Sequence, residues 1–182
     1  MKPVAGAPPK RPFEAIVEEH GATVLRVCRA VVGLHDAEDA WSETFLSALR
    51  AYPDLPSDAN VQAWLVTISH RKCIDLLRAN SRRAIPVEQM PEQASRIGIP
   101  GNRHTELLDA VGQLPAKQRQ AVAYHYLAGL PYKDVAALVG GTAESARRAA
   151  SDGIRTLRSA LHSESTSNGR PLVSAAPKEA TR

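Results

Sequence analysis

Between Pro131 and Arg158 the chain reads PYKDVAALVGGTAESARRAASDGIRTLR, and few folds accommodate that order of residues. Val135, Ala136, Leu138 and Val139 give a first short helix an apolar side. Gly140-Gly141 stops it, because glycine enters left-handed backbone without a steric penalty, and Thr142 is placed to cap a second helix. Ala136 and Gly140 stand four positions apart. A small residue at the first lets two helices cross closely, and a glycine at the second permits the sharp turn. Two helices joined by a glycine turn, the second with arginines along one face, form the layout of a helix-turn-helix, whose second helix lies in the DNA major groove.

The rest of the chain agrees with an all-α fold. Aromatic residues are 4% of the 182 residues, and no long run alternates apolar with polar, so strands have no signal. Apolar residues recur instead at helical spacing. Phe13, Ile16, Val17, Val24, Val27, Cys28 and Val31 predict a first helix over 13–32, ended by Gly33. Ala37, Ala40, Trp41, Thr44, Phe45 and Ala48 predict a second from about Asp36 to Arg50. Pro53 and Pro56 make 52–60 a loop. A third helix runs from about Val61 to Ser81, with a broad apolar arc that suits the centre of a bundle.

From 84 to 103 prolines and glycines interrupt every candidate element, which reads as a flexible linker between two small helical modules. The second is a four-helix module: a short helix near Arg103–Gln113, a helix over Ala116–Leu127 after Leu114-Pro115, and the helix-turn-helix to Leu161. Residues 1–11 and 162–182 read as disordered.

Charge is distributed unevenly. The whole chain carries +4, with a pI near 9.3, a mild bias toward polyanions. Arg71, Lys72, Arg78, Arg82 and Arg83 face a single acid, Asp75, within 70–83, while Asp36, Glu38, Asp39 and Glu43 stand in 36–43 with no base. Faces of opposite sign point to two partners. Asp39, Glu43, Leu46 and Arg50 share a stripe opposite Trp41 and Phe45, and an apolar Leu46 among acids suits a protein-docking face. Arg71, Asp75, Arg78 and Arg82 share a face of the third helix, with Trp64 near its start; bases near an aromatic suit melted nucleic acid, although Trp64 equally suits the core. Arg148, Ser151, Arg155 and Arg158, with Arg147 beside them, form the outer stripe of the last helix, where guanidinium groups neutralise phosphates or pair with guanine.

Other classes have little to stand on. Cys28 and Cys73 are isolated, and neither CxxC nor His-rich spacing marks a metal site. His20, His35, His70, His104, His125 and His162 are scattered, with no nucleophile or acid–base constellation, so an enzyme acting on nucleic acid has little support. No apolar run reaches the ~18 residues of a membrane span. The basic N-terminus lacks the hydrophobic segment of a signal peptide, and a cytoplasmic protein is expected.

Taken in order, DAEDAWSETFLSAL, WLVTISHRKCIDLLRANSRR, LPAKQRQAVAYHYLAGLPYKDVAALVG and the helix-turn-helix resemble the extracytoplasmic-function sigma factors of the sigma-70 family. The resemblance covers about Phe13–Arg83 and Glu106–Leu161. It implies that Asp36, Asp39, Glu43 and Leu46 bind core RNA polymerase, through the clamp helices of its largest subunit, with a second contact to the flap. It implies that the 52–60 loop captures a flipped base, and that Trp64, Arg71, Lys72, Asp75, Arg78 and Arg82 face minus-ten promoter DNA. Thr142, Ser145, Arg147, Arg148, Ser151 and Arg155 would read the minus-thirty-five element. The resemblance further implies that the chain is not an enzyme and needs no cofactor, and such factors are often held inactive by an anti-sigma protein. The competing expectation is a sigma-like DNA-binding regulator that does not itself support initiation.

Some positions depart from the family pattern. Trp41-Ser42 replaces a smaller apolar residue and a glutamine. Gly141, Ala146 and Ala149 stand where larger apolar residues are usual. Truncating a buried aliphatic side chain costs roughly 2–5 kcal/mol unless the site collapses, so the helices of this module are expected to pack unusually closely or to be less stable.

Overall fold

The computed structural model describes residues 10–83 and 103–167, and every regular element among them is helical. The first module holds α1 (Phe13–Val32), α2 (Ala37–Ala51) and α3 (Val61–Arg83); the second holds α4 (Arg103–Gly112), α5 (Ala116–Val122), α6 (Tyr132–Val139) and α7 (Ala143–Ser167). The linker expected over 84–102 and the tail beyond 167 lie outside the described residues, as do residues 1–9.

Local chemistry sets the boundaries. Gly33, at φ +86°, ends α1 and donates its N–H to the Arg29 carbonyl at 3.1 Å. Asn60 caps α3, its Oδ1 accepting the Ala63 N–H at 3.0 Å. A 3₁₀ turn over Tyr52–Asp54 opens the loop expected at 52–60. α3 runs on to Arg83, past the expected end at Ser81: arginine has good helix propensity, and cations suit a helix C-terminus. α7 likewise continues beyond Leu161, and the first strong breaker in the sequence after it is Gly169. Lys10 and Arg11, at the edge of the segment read as disordered, are held in place. Lys10 Nζ donates to the carbonyls of Pro53 and Leu55 at 2.9 and 2.6 Å, and the Arg11 carbonyl accepts the Tyr52 hydroxyl at 2.8 Å.

α1, α2 and α3 pack against one another around Val24, Val27, Val31, Phe45, Leu65 and Val66. Trp41, the atypical residue of α2, lies across Gly21 of α1. Its indole N–H donates to the Gly21 carbonyl at 2.9 Å and its ring lies 4.7 Å from Phe45, centre to centre. A Cβ on Gly21 would lie 3.5 Å from the indole, an ordinary van der Waals contact, so α1 and the large residue on α2 pack closely here.

In the second module α7 packs on both α5 and α6. α5 continues into one π-helical turn, Ala123–Leu127, closed by the Ala128 N–H on the Ala123 carbonyl at 3.1 Å. Gln120, Ala121, Val122, Ala123 and Tyr124 are all buried. Five consecutive buried residues on a helix cannot face one side, since successive side chains turn by about 100°. The helix is therefore covered twice: α7 lies on one side, and α1 of the first module packs against α4, α5 and the π turn. The two modules share one continuous apolar core.

Candidate nucleic-acid and protein interfaces

The acidic stripe of α2 is on the surface, as the periodicity predicts. Asp39 and Glu43 are exposed and Asp36 is half-buried, while Leu46 is 50% and Leu49 51% exposed. Leu49, three residues on from Leu46, was missed in the sequence reading; the two leucines form an apolar pair beside the acids. Asp36 accepts a hydrogen bond from Asn80 Nδ2 at 2.7 Å, which ties the start of α2 to the end of α3.

On α3, Arg71, Asp75, Arg78 and Arg82 are all exposed. Asp75 and Arg78 approach at 4.0 Å, a loose ion pair within one helix face. Lys72 turns toward α2, with Nζ 3.3 Å from Glu43 Oε2. Trp64 is half-buried against the core, and its ring is tilted toward Tyr52 at 6.4 Å. Tyr52 in turn packs on Phe13 at 5.3 Å. The ring of Trp64 thus closes the aromatic end of the first module beside the 52–60 loop.

The helix-turn-helix forms as expected. Gly140 and Gly141 take positive φ, +79° and +111°, which other residues reach only at a cost. Thr142 and Ser145 cap α7 reciprocally: the Ser145 N–H reaches Thr142 Oγ1 at 3.1 Å, and the Thr142 N–H reaches Ser145 Oγ at 2.9 Å. Thr142, Ser145, Arg147, Arg148, Ser151 and Arg155 are all exposed on one helix. Arg147 is paired with Glu144 at 3.6 Å and Arg155 with Asp152 at 3.1 Å. Arg148 enters no ion pair among the described residues.

Sequence reading missed what holds Arg147. His125 stacks on Tyr132 with ring centres 3.9 Å apart and planes within 22°. The Arg147 guanidinium lies 5.7 Å from the centre of the Tyr132 ring. His125 is itself fixed by Nδ1 donating to the Leu130 carbonyl at 2.8 Å. The only sequence signal was aromatic residues crowding just before α6.

Buried polar groups gather where the modules meet. Cys28 Sγ lies 3.3 Å from Ser69 Oγ. The hydrogen bond with Cys28, and then burial, push the Cys73 thiol far up. Burial raises the Tyr124 phenol, and burial with the Arg71 charge lowers the His70 imidazole. Cys28 and Cys73 are fully buried, where thiols are inert.

Among the described residues there is no group of three or more His, Cys, Asp or Glu arranged to hold a metal ion, and no helix long and apolar enough to cross a membrane.

Both modules match known families in the expected order. Residues 16–83 match sigma-70 region 2, and residues 104–157 match sigma-70 region 4. The chain is 30% identical over 156 residues to the ECF RNA polymerase sigma factor SigD of Mycobacterium tuberculosis, spanning 79% of this chain and 74% of that one. It is 27% identical to the ECF RNA polymerase sigma factor SigE of Mycolicibacterium smegmatis over 85% of this chain and 64% of the relative. Among solved structures, the sigma factor RpoE in complex with the anti-sigma factor NepR from Bartonella quintana superposes with a TM-score of 0.64 at 22% identity, covering 82% of this chain and 98% of that one. CnrH in complex with the cytosolic domain of CnrY gives 0.60 at 21%, covering 83% and 88%. With both sigma regions present in order and a relative matched across most of its length, the chain belongs to the sigma-70 family, as an extracytoplasmic-function sigma factor.

Proposed function

We propose that this chain binds core RNA polymerase through the α2 face and steers it to promoters through two DNA-reading faces, one on α3 and one on α7. The observation that carries this is the division of the surface. An exposed acidic face with two leucines stands on α2, and exposed arginines stand on α3 and α7. Core polymerase and promoter DNA are the partners, and such a factor works in the cytoplasm with them. Asp36, Asp39, Glu43 and Leu46 take the polymerase clamp helices, and the second module takes the flap. Trp64, Arg71, Lys72, Asp75, Arg78 and Arg82 meet minus-ten DNA. Thr142, Ser145, Arg147, Arg148, Ser151 and Arg155 meet the minus-thirty-five element, with the His125–Tyr132 stack setting the place of Arg147.

The chemistry of initiation belongs to the polymerase, and the chain supplies the place where it starts. An anti-sigma protein fits as a regulator, since one similar solved structure is a sigma factor in complex with an anti-sigma factor. A regulator that cannot support initiation is the less favoured reading, because the region that such factors use on polymerase is present together with the DNA-reading one.

The test is reconstitution. Purified chain and core polymerase from the same host are mixed, and transcripts are mapped on fragments of the host genome. Binding to core with new, discrete start sites is expected. Duplex binding that needs no polymerase, with no start sites, would favour the regulator instead.

A further inference from the structure

The loop after α2 needs a donor from outside itself. The last carbonyls of a helix have no N–H of the next turn to accept, and Pro53 and Pro56 bring no N–H of their own. Within the loop the Leu55 N–H reaches the Tyr52 carbonyl, and the Ala59 N–H reaches the Pro56 carbonyl, each at 3.1 Å. What gathers the first half is Lys10, which stands 42 to 45 positions earlier in the chain. Its ammonium donates to the carbonyls of Tyr52, Pro53 and Leu55. An ammonium has three N–H bonds, and here each has its own acceptor. The charge also lies 4.9 Å from the centre of the Tyr52 ring, at the negative end of the α2 dipole.

Arg11 carries the hold across to α1. Its carbonyl accepts the Tyr52 hydroxyl at 2.8 Å, and its guanidinium pairs with Glu19 at 2.7 Å. Lys10 and Arg11 are therefore a strap from α1 to the loop. The other half of the loop faces outward. The turn closed by Pro56 and Ala59 carries Ser57 and Asp58 at its tip, both exposed. Next in the chain Asn60 caps α3, and Trp64, at the start of the α3 face, tilts toward Tyr52. One side of the loop is strapped down, and the other offers polar groups beside the DNA-facing helix.

We propose that Lys10 is a positioning residue for the minus-ten reader: through the backbone of 52–55 it holds the Ser57–Asp58 turn where a base of the melted strand meets it, without itself touching DNA. The proposal rests on the sigma-factor reading, which puts α3 on minus-ten DNA. The physics favours a strap here. A loop held in place before the strand arrives loses little freedom on binding. A fixed donor or acceptor also cannot move to suit the wrong base, so it discriminates more strongly than a loose one.

The test uses the full chain with core polymerase from the same host, on a promoter found by mapping its transcripts. Rates of open-complex formation are measured on that promoter and on single-base changes through its minus-ten element. Lys10→Met is expected to lower the preference at one minus-ten position about tenfold, the effect of losing charge-assisted bonds. Core affinity, minus-thirty-five preference, salt slope and helix content are expected to stay as in the parent. Lys10→Arg keeps the charge, but a planar fork cannot gather three carbonyls about one point, so it is expected to recover only part of the preference. In the free chain the Leu55 and Ala59 amides are expected to exchange about tenfold faster in Lys10→Met, because opening of the loop is no longer opposed.

An unchanged preference in Lys10→Met overturns the proposal. So does a salt slope lower by about 1, which marks a direct phosphate contact. Full recovery in Lys10→Arg puts the effect in charge alone, and unchanged amide exchange shows that the loop holds itself; either result also overturns it. A parent holoenzyme that opens no promoter sinks the sigma-factor reading and, with it, the role at the minus-ten strand, while the exchange measurement still shows whether Lys10 holds the loop.

Discussion

Gly153 of α7 sits directly against Val122 of α5: a Cβ built on the glycine would lie 2.8 Å from Val122 Cγ2 and 3.4 Å from both Gln118 Cβ and Leu114 Cδ1. The sequence raised a choice between closer packing and lower stability where Ala146 and Ala149 replace larger apolar residues. Close packing is seen at Gly153, while of the atypical positions only Ala146 is buried, Ala149 being half-buried and Gly141 exposed. Ala146 and Ala150 are buried, and the glycine brings the two backbones together.

Gly153→Leu is therefore expected to destabilise the protein by about 1–3 kcal/mol, because the added side chain must displace Val122 or push α7 outward. Glycine costs a helix ~1 kcal/mol relative to alanine, so a gain in propensity offsets part of this loss. Urea unfolding measures the sum, and a variant as stable as the parent would show that α5 and α7 are free to separate here.

Thr142→Ala removes one half of the reciprocal cap on α7 and leaves the Ser145 N–H without its side-chain partner. A loss of about 1 kcal/mol is expected, with the denaturant slope unchanged. Thr142→Ser keeps the oxygen and is expected to stay within a few tenths of a kcal/mol. The pair of variants separates the cap from any contact that Thr142 makes to DNA.

Protonating His70 in the folded protein is unfavourable, because the ring is partly buried and Arg71 stands beside it. Tyr124 faces it from the second module, and Asp134 lies in the same groove on α6. The folded value is below the unfolded one of 6.5, so the unfolded chain binds the proton more readily. The stability that depends on neutral His70 is complete above pH 6.5 and is lost as pH falls below it. A chain carrying His70→Gln is expected to lose that part of the pH dependence, as read by thermal melts between pH 5 and 8.

Much of this was legible in the sequence, for reasons that differ from element to element. The 3.6-residue rhythm of Val24, Val27, Cys28 and Val31 placed α1, and Gly33 marked its end. The double glycine and Thr142 placed the turn before α7. Charge patterning marked the α2, α3 and α7 faces, because exposed charges need no tertiary context. The packing of the modules on each other was not legible. Tyr124 and His70 are far apart in sequence, and each is ordinary in its own helix. A tyrosine buried by a neighbouring module reads the same as one buried by its own. The stack of His125, Tyr132 and Arg147 was hidden likewise, since it joins the π turn to two other helices.

Lys72 and Glu43 connect two of the functional faces at 3.3 Å, with side chains 30% and 58% exposed. Such a pair contributes no more than about 1 kcal/mol and is screened by salt. Glu43→Gln is expected to leave stability almost unchanged while weakening binding to core polymerase. Lys72→Met is expected to leave core binding intact and to weaken opening of the minus-ten element. If both variants fail on the same step, the ion pair acts as a unit and the two faces are not separate.

Arg147 and Arg148 are neighbours with different surroundings, and they should fail differently. Arg147 is held by Glu144 and by the face of Tyr132, an arrangement that suits one fixed direction and so a base edge. Arg148 has no ion pair among the described residues, and it lines an open groove at the start of α7 with Lys117 and Thr142, and with Glu144 and Asp152, so its exposed guanidinium suits a phosphate on the DNA backbone rather than one fixed base edge. Arg148→Ala is expected to weaken holoenzyme binding by a similar factor on all promoters and to reduce the salt slope by about 1. Arg147→Ala is expected to cost about 1–3 kcal/mol on the preferred minus-thirty-five sequence and much less on a scrambled one. Tyr132→Leu removes the ring beneath Arg147 without touching the arginine. It should reproduce part of the loss of preference, and Tyr132→Phe, which keeps the ring, should restore it. Binding titrations of reconstituted holoenzyme against the two duplexes at several salt concentrations separate the outcomes. An unchanged ratio between duplexes in Arg147→Ala would move the base-reading role to another residue of α7.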